Sequence, residues 1–282
     1  MNRLLLLGVV VVLISMTSTI ASPTVSFFEE FPTETTLDKI AQIDFDTRIY
    51  VAARNLSEFQ DYEEAYKSRN GHIREVVYWP ILGREEGYWI SPQSDQEALK
   101  RIFEEVKERD DKTKLEVLLD LEPSLQRSRL FSFRNFRQNK EYVTDFVITA
   151  EDYNVSISTV EKSYIPDWVL EPLGLSFAPE EYGNKKIKMY YSSYRRRVLP
   201  DSIVDKLYER KVKQYTKKKI HLGLGLIAPG IYDERHRTTP ENLRREIEIA
   251  SKHSIEEVII FRLDGLNDDY LKAIHGGFVN KT

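Results

Sequence analysis

Eight short runs of apolar or β-branched residues recur along this chain, and longer charged segments of helical period separate most of them. The runs fall at residues 25–28, 48–53, 75–79, 115–121, 145–149, 187–191, 221–227 and 257–263. Strands that are apolar on both faces belong in a parallel sheet, whose crossover helices cover both sides. The intervening segments, at 56–69, 93–109, 124–139, 166–175, 200–218, 240–253 and 267–274, are mostly amphipathic, and a shorter one at 35–43 opens at Thr36. Pro92, Pro200 and Pro240 each stand at or near a first helical turn, where a missing N–H costs little. Eight alternating units predict an α/β fold: a single (β/α)8 barrel with a parallel eight-stranded sheet, over residues 22–282. The rival is a doubly wound open sheet, which carries a glycine-rich phosphate turn after its first strand; Glu29-Glu30-Phe31-Pro32 is no such turn. Gly223-Leu224-Gly225 lies inside the seventh run and predicts close packing in the barrel wall.

Ahead of the barrel, Arg3 precedes an apolar run from residue 4 to 16 and the small-residue stretch Thr17-Ser18-Thr19-Ile20-Ala21, with a cleavage pattern before Ser22. Residues 1–21 read as a secretory signal peptide or, counting through Ile20, as an uncleaved membrane anchor. Either places the barrel outside the cytoplasm. The chain has no cysteine, so neither disulfides nor a lipid-modified cysteine contribute, and the core must supply the stability. A domain of about 260 residues buries enough surface to do so. Asn55, Asn154 and Asn280 begin glycosylation sequons. A formal net charge of −4 gives no case for nucleic acid as a partner, nor for membrane contact other than through the N-terminal segment.

In such a barrel, function gathers at the C-terminal ends of the strands. The fourth run ends in Asp120-Leu121-Glu122. Residues i and i+2 of a strand share a face, roughly 6 to 7 Å apart, so both carboxylates leave the strand together. Each disfavours ionisation of the other, which can leave one protonated and one charged. The same mouth is expected to collect aromatic and further polar groups from the other strand ends. Glu29 is one, although alternation turns either it or Glu30 inward and not both. Trp79, Glu151, Tyr190, Arg195, Arg262 and Asp264 are the others taken as substrate contacts, whereas Trp89 and Trp168 read as packing residues. Sugars offer apolar C–H faces ringed by hydroxyls and match sites of this composition. Glycosidic bonds are cleaved by a carboxyl pair, one protonating the leaving oxygen and the other supporting positive charge at the anomeric carbon. Arg195-Arg196-Arg197, with Lys185, Lys186 and Lys188, forms a locally basic region suited to an anionic substrate or polymer. No phosphate loop, zinc-protease helix, serine-nucleophile elbow or cysteine ligand set appears, so no cofactor and no metal is expected.

The Asp120-Leu121-Glu122 ending and Met189-Tyr190-Tyr191 on the sixth run resemble two motifs of the chitinase-type, family 18 glycoside hydrolases. In that family the last glutamate of the strand-four motif is the acid, the aspartate two before it orients the substrate's N-acetyl group, and a Met-x-Tyr tyrosine assists. The resemblance thus implies Glu122, Asp120 and Tyr191 as the catalytic residues. The family carries further aspartates where this chain has Leu118 and Ser192. The Asp-x-Glu ending is also similar to that of the lysozyme-like family 25 barrels.

The expected function is a secreted glycoside hydrolase acting on a carbohydrate polymer or glycan, substrate-assisted where the sugar is N-acetylated. Leu118 and Ser192 motivate a second reading, a non-catalytic carbohydrate-binding or cell-surface protein on a degenerate barrel. A third is a metal-assisted phosphodiesterase, with carboxylates as ligands and arginines on phosphate.

Overall fold

The computed structural model describes residues 22–110, 113–123, 135–231 and 236–278. Eight parallel strands close into a barrel in sequence order: β1 (Thr24–Glu29), β2 (Thr47–Ala53), β3 (Ile73–Pro80), β4 (Leu115–Asp120), β5 (Val155–Lys162), β6 (Lys185–Tyr190), β7 (His221–Gly225) and β8 (Glu257–Phe261). The circle closes where β1 pairs with β8, Phe28 opposite Phe261. The predicted (β/α)8 barrel is therefore the fold. Among the described residues no helix is long and apolar enough to cross a membrane, and residues 1–21, read as the signal or anchor, lie outside them.

Alternation along each strand divides the core in two. Phe28, Tyr50, Val77, Trp79, Leu118, Val160, Ile187, Met189, Ile259 and Phe261 point into the barrel and fill it. Their neighbours, among them Phe27, Ile49, Val51, Tyr78, Leu119, Leu224 and Ile260, point outward beneath the helices. Gly223 and Gly225 lie on the inward parity of β7, where an added Cβ would overlap Met189 Sδ and lie 3.0 Å from the Tyr191 ring. Glycine there makes room for two large side chains of β6 and the residue after it, the close packing expected of that segment.

The outer layer includes α1 (Glu34–Ile40), α2 (Leu56–Arg69), α3 (Gln96–Glu108), α4 (Phe136–Thr149), the short α5 (Asp167–Leu170), α6 (Pro179–Tyr182) and α7 (Ser192–Arg196), then α8 (Asp201–Lys217), α9 (Pro240–Lys252) and α10 (Asp268–Gly277). Helix α3 starts where the Asp95 side chain accepts hydrogen bonds from the Glu97 and Ala98 amides, the usual N-terminal capping chemistry. Its Leu99, Ile102, Phe103 and Val106 recur at helical spacing and are all buried. Phe103 stacks on Phe146 of α4, ring centroids 4.0 Å apart and planes within 2°.

The fifth strand is not where the sequence placed it. Residues 145–149, expected as β5, are the last turns of α4, which buries Val143, Phe146 and Val147. Their β-branched content suggested a strand, but the apolar positions follow the 3.6-residue period. Strand β5 is instead Val155–Lys162, a stretch assigned to no element from sequence, with Ser158 and Thr159 buried within it. The helix expected at 166–175 is broken into α5 and a 3-10 turn, Glu171–Leu173, ended by Gly174 at φ 66°. Of the segment expected at 124–139, residues 124–134 lie outside the described residues, as do Asp233, Glu234 and Asn280.

Candidate active site at the C-terminal mouth

Asp120 ends β4 on the inward parity set by Leu118, and Glu122 follows on the same side. Both line a cleft at the C-terminal mouth with Glu30, Trp79, Trp89, Lys162, Tyr191, Gly230 and Phe261. Asp120 is only 6% exposed, and its Oδ1 has no hydrogen-bond partner among the described residues. Burial raises its pKa well above the usual carboxylate range, and the charges of Glu122 and Glu30 push the same way against Lys162. Asp120 is therefore the member of the pair that burial biases toward the protonated form. Glu122 reaches further out and forms an ion pair with Lys162, 2.7 Å away. Burial alone would lower the Lys162 pKa, but the Glu122 charge and hydrogen bond outweigh it and keep the ammonium charged. The two neighbouring carboxyl groups thus lie in unlike settings, one biased toward its neutral form by burial and one held in an ion pair.

The aromatic walls come from two directions. Trp79 stands at the end of β3 against Phe28, ring centroids 5.7 Å apart, and its Nε1 is buried without a partner among the described residues. Trp89 comes from the long loop after β3, where Ser94 Oγ donates to its carbonyl at 2.7 Å. The preceding Tyr88 is held at φ 70°, a conformation that costs a non-glycine residue about 1 kcal/mol or more. Its carbonyl accepts from the Leu82 amide at 2.8 Å, and its hydroxyl donates to Glu30 at 2.9 Å. The strained residue thereby fastens the Trp89 loop to the end of β1. Gly230 completes this side, where an added Cβ would lie 2.9 Å from the Phe261 ring and 3.0 Å from Glu30 Oε2. Beneath the cleft, a recess of about 30 Å³ is bounded by Phe28, Val160, Met189, Phe261, Tyr191 and the same carboxyl pair.

Of the sequence-derived site residues, Asp120, Glu122, Trp79 and Tyr191 meet in this cleft. Glu29 does not. It shares the outward parity of Phe27, accepts from Arg262 at 2.7 Å, and also accepts from the Phe31 and Asp264 amides. Glu30 is the mouth residue of that pair. Arg262 is engaged with Glu29, Asp264 and the Pro229 carbonyl, so these three side chains brace the outer edge between β1 and β8 instead of facing the cleft. Glu151 lies in the 3-10 turn Ala150–Tyr153 that leads into β5, at the opposite end of the barrel. That displacement follows from the misplaced fifth strand. Tyr190 points outward against Tyr208, ring centroids 5.0 Å apart, while Arg195 lies 5.3 Å over its ring. The lysines of the expected basic region are paired: Lys185 with Glu116 and Glu257 at the barrel floor, and Lys186 and Lys188 with Glu161 and Asp167 on the outer face. Arg196 is likewise paired with Glu246 and Asp205.

Sequence reasoning missed Lys162, Tyr88 and the mouth position of Trp89. Lys162 was recoverable once the alternation Ser158, Val160, Lys162 is recognised as strand; Tyr88 and Trp89 lie on a loop whose path no periodicity encodes. Trp168, read as a packing residue, is 75% exposed. Among the described residues no group of three or more histidine, aspartate or glutamate side chains is arranged to hold a metal ion.

No family model matches the chain, and no curated protein does. Among solved structures, active domain 2 of a chitinase from Pyrococcus furiosus, in catalytic-site mutants, superposes with a TM-score of 0.51 at 11% identity, covering 93% of this chain and 98% of that one. A D-tagatose 3-epimerase-like protein gives 0.48 at 14% identity, covering 89% and 94%. A fusion of a xylose isomerase-like TIM barrel with 4-hydroxyphenylpyruvate dioxygenase gives 0.46 at 13% identity; the match covers 91% of this chain and spans 42% of the fusion. The lysozyme-like resemblance finds no counterpart among these structures. At such identities the shared property is the fold: this chain is a single (β/α)8 TIM barrel, like the chitinase domain.

Proposed function

We propose that this protein is a secreted glycoside hydrolase whose acid is the Asp120–Glu122 pair, acting on an N-acetylated sugar. The observation that carries the reading is a buried Asp120, its pKa raised by burial, beside Glu122, which is ion-paired to Lys162, in a cleft walled by Trp79, Trp89 and Tyr191. Two interacting carboxyl groups share a proton as a unit, so the proton stored on Asp120 can be handed to Glu122, the more exposed member. Glu122 then protonates the glycosidic oxygen, and the C–O bond breaks with its electrons going to the leaving alcohol. The acetamido carbonyl oxygen bonds to the anomeric carbon, and water later opens that ring and returns the proton. Asp120 orients the acetamido group, and Tyr191 borders it. The small apolar recess suits the acetyl methyl, beside the unpartnered Trp79 Nε1–H as a donor for its oxygen. Export rests on the sequence of residues 1–21.

The test is mass-spectrometric detection of products after the purified protein and its Glu122→Gln variant are incubated with N-acetylated and plain polysaccharides. New oligosaccharides from the parent and none from the variant support the reading. Full activity in the variant removes it. Glycan binding without turnover in the parent favours instead the degenerate-barrel binding protein, the reading that Leu118 and Ser192 motivate.

A further inference from the structure

Lys162 and Tyr191 form one wall of the carboxylate cleft and also one wall of a neighbouring cavity of about 490 Å³ between the ends of β5 and β6. Its volume is in the range of small-ligand sites. Four tyrosines line it: Tyr164 and Tyr194, which are 64% and 39% exposed, together with Tyr190 and Tyr191. Arg195 completes it.

The charge of Arg195 sets this cavity apart. Lys162, Lys186, Lys188, Arg196 and Arg262 each stand within ion-pair distance of a carboxylate. No carboxylate among the described residues pairs with Arg195, whose guanidinium lies over the Tyr190 ring at 5.3 Å. A guanidinium held over a ring by the cation–π attraction, with no carboxylate among the described residues paired to it, has N–H donors to offer two oxygens of one anion side by side. Aromatic faces, a planar cation and continuity with the proposed cleavage cleft together describe a sugar subsite that selects an anionic substituent.

Resting on the hydrolase reading, we propose that the β5–β6 cavity binds a sugar carrying a carboxylate or sulfate adjacent to the residue cleaved at Asp120–Glu122, so that the substrate is an acidic N-acetylated polysaccharide. Arg195 is the recognition residue, Tyr164 and Tyr194 are platforms for the ring, and Lys162 marks the boundary with the cleavage site.

The experiment measures binding separately from turnover. The purified protein, Arg195→Gln, Arg195→Lys and Tyr164→Ala are run by affinity electrophoresis through gels containing hyaluronan, whose anion is a carboxylate, or chondroitin sulfate, which adds sulfate. Neutral chitin oligosaccharides are titrated calorimetrically alongside. The parent is expected to prefer an acidic polymer at least tenfold, with retention falling as salt rises. Arg195→Gln loses that preference without weakening the neutral ligand, and Arg195→Lys keeps part of it. Tyr164→Ala, altering a largely exposed ring, weakens acidic and neutral ligands together. Hyaluronan binding as tight as that of chondroitin sulfate assigns the carboxylate; binding confined to the latter assigns sulfate. Equal affinity for acidic and neutral sugars, or a preference that survives Arg195→Gln, overturns the proposal. Product analysis on the same samples keeps the two readings apart: cleavage with no acidic preference defeats only the subsite, and acidic preference with no cleavage defeats only the hydrolase.

Discussion

Lys162 Nζ lies 2.7 Å from Glu122 Oε2 and 6.0 Å from the centroid of the Trp89 ring, so one ammonium group ties the end of β5 to the end of β4 and to the loop after β3. It is the positive charge that opposes the rise in the Asp120 pKa and pairs with Glu122. Asp120 is buried behind it with its pKa raised, and Glu122 is the ammonium's ion-pair partner.

Lys162→Met removes that charge. An opposite charge at ion-pair distance lowers a carboxyl pKa by about 1 to 3 units, so its loss raises the proton affinity of the Asp120–Glu122 pair. The limb of the pH–rate profile on which the pair loses its proton should move to higher pH by about one unit or more. Product formation measured across pH in both proteins checks this; an unchanged limb would show that Lys162 does not act on the pair.

Asp120→Asn should abolish turnover yet stabilise the fold at neutral pH. The folded pKa of Asp120 is raised, so unfolding releases its proton at any pH between the unfolded value, about 3.9, and the folded one. The stability that this proton supports is complete below the unfolded pKa and is lost as pH rises through the folded one. Asparagine does not titrate, so the gain in Tm over the parent should be larger at pH 7 and shrink toward pH 4. Thermal melts at the two pH values decide it.

Arg262→Met should leave glycan binding intact and destabilise the barrel by about 3 to 5 kcal/mol, because it strands the fully buried Glu29 without its ion-pair partner. Burial already raises the Glu29 pKa against the opposing charge of Arg262. Urea unfolding combined with a binding titration separates this bracing role from the substrate contact that the sequence suggested.

Phe103→Ala removes one ring of the stacked pair between α3 and α4 and should cost about 3 to 5 kcal/mol. The residue touches nothing at the mouth, so a lowered denaturation midpoint with unchanged kcat/KM is the expected result.

Chain periodicity alone determined the barrel. Eight apolar runs separated by amphipathic segments leave few ways to bury both faces of a parallel sheet, and seven of the runs became strands close to their expected bounds. Local spacing also brought Asp120 and Glu122 to one mouth, because two residues in a strand return to the same face. The fifth strand was illegible since Val143, Phe146 and Val147 belong to a helix while the true strand carries serine and threonine inside the barrel wall. From that one displacement followed the misplacement of Glu151 and the oversight of Lys162. The choice between Glu29 and Glu30 was a matter of parity at the end of β1, which pairing with β2 and β8 settled by turning Phe28 inward. Ion pairing belongs to the tertiary structure for a simpler reason. Whether Lys188 or Arg195 carries a free charge depends on which carboxylate another strand or helix brings within about 4 Å, and neighbours in the chain say nothing of that distance.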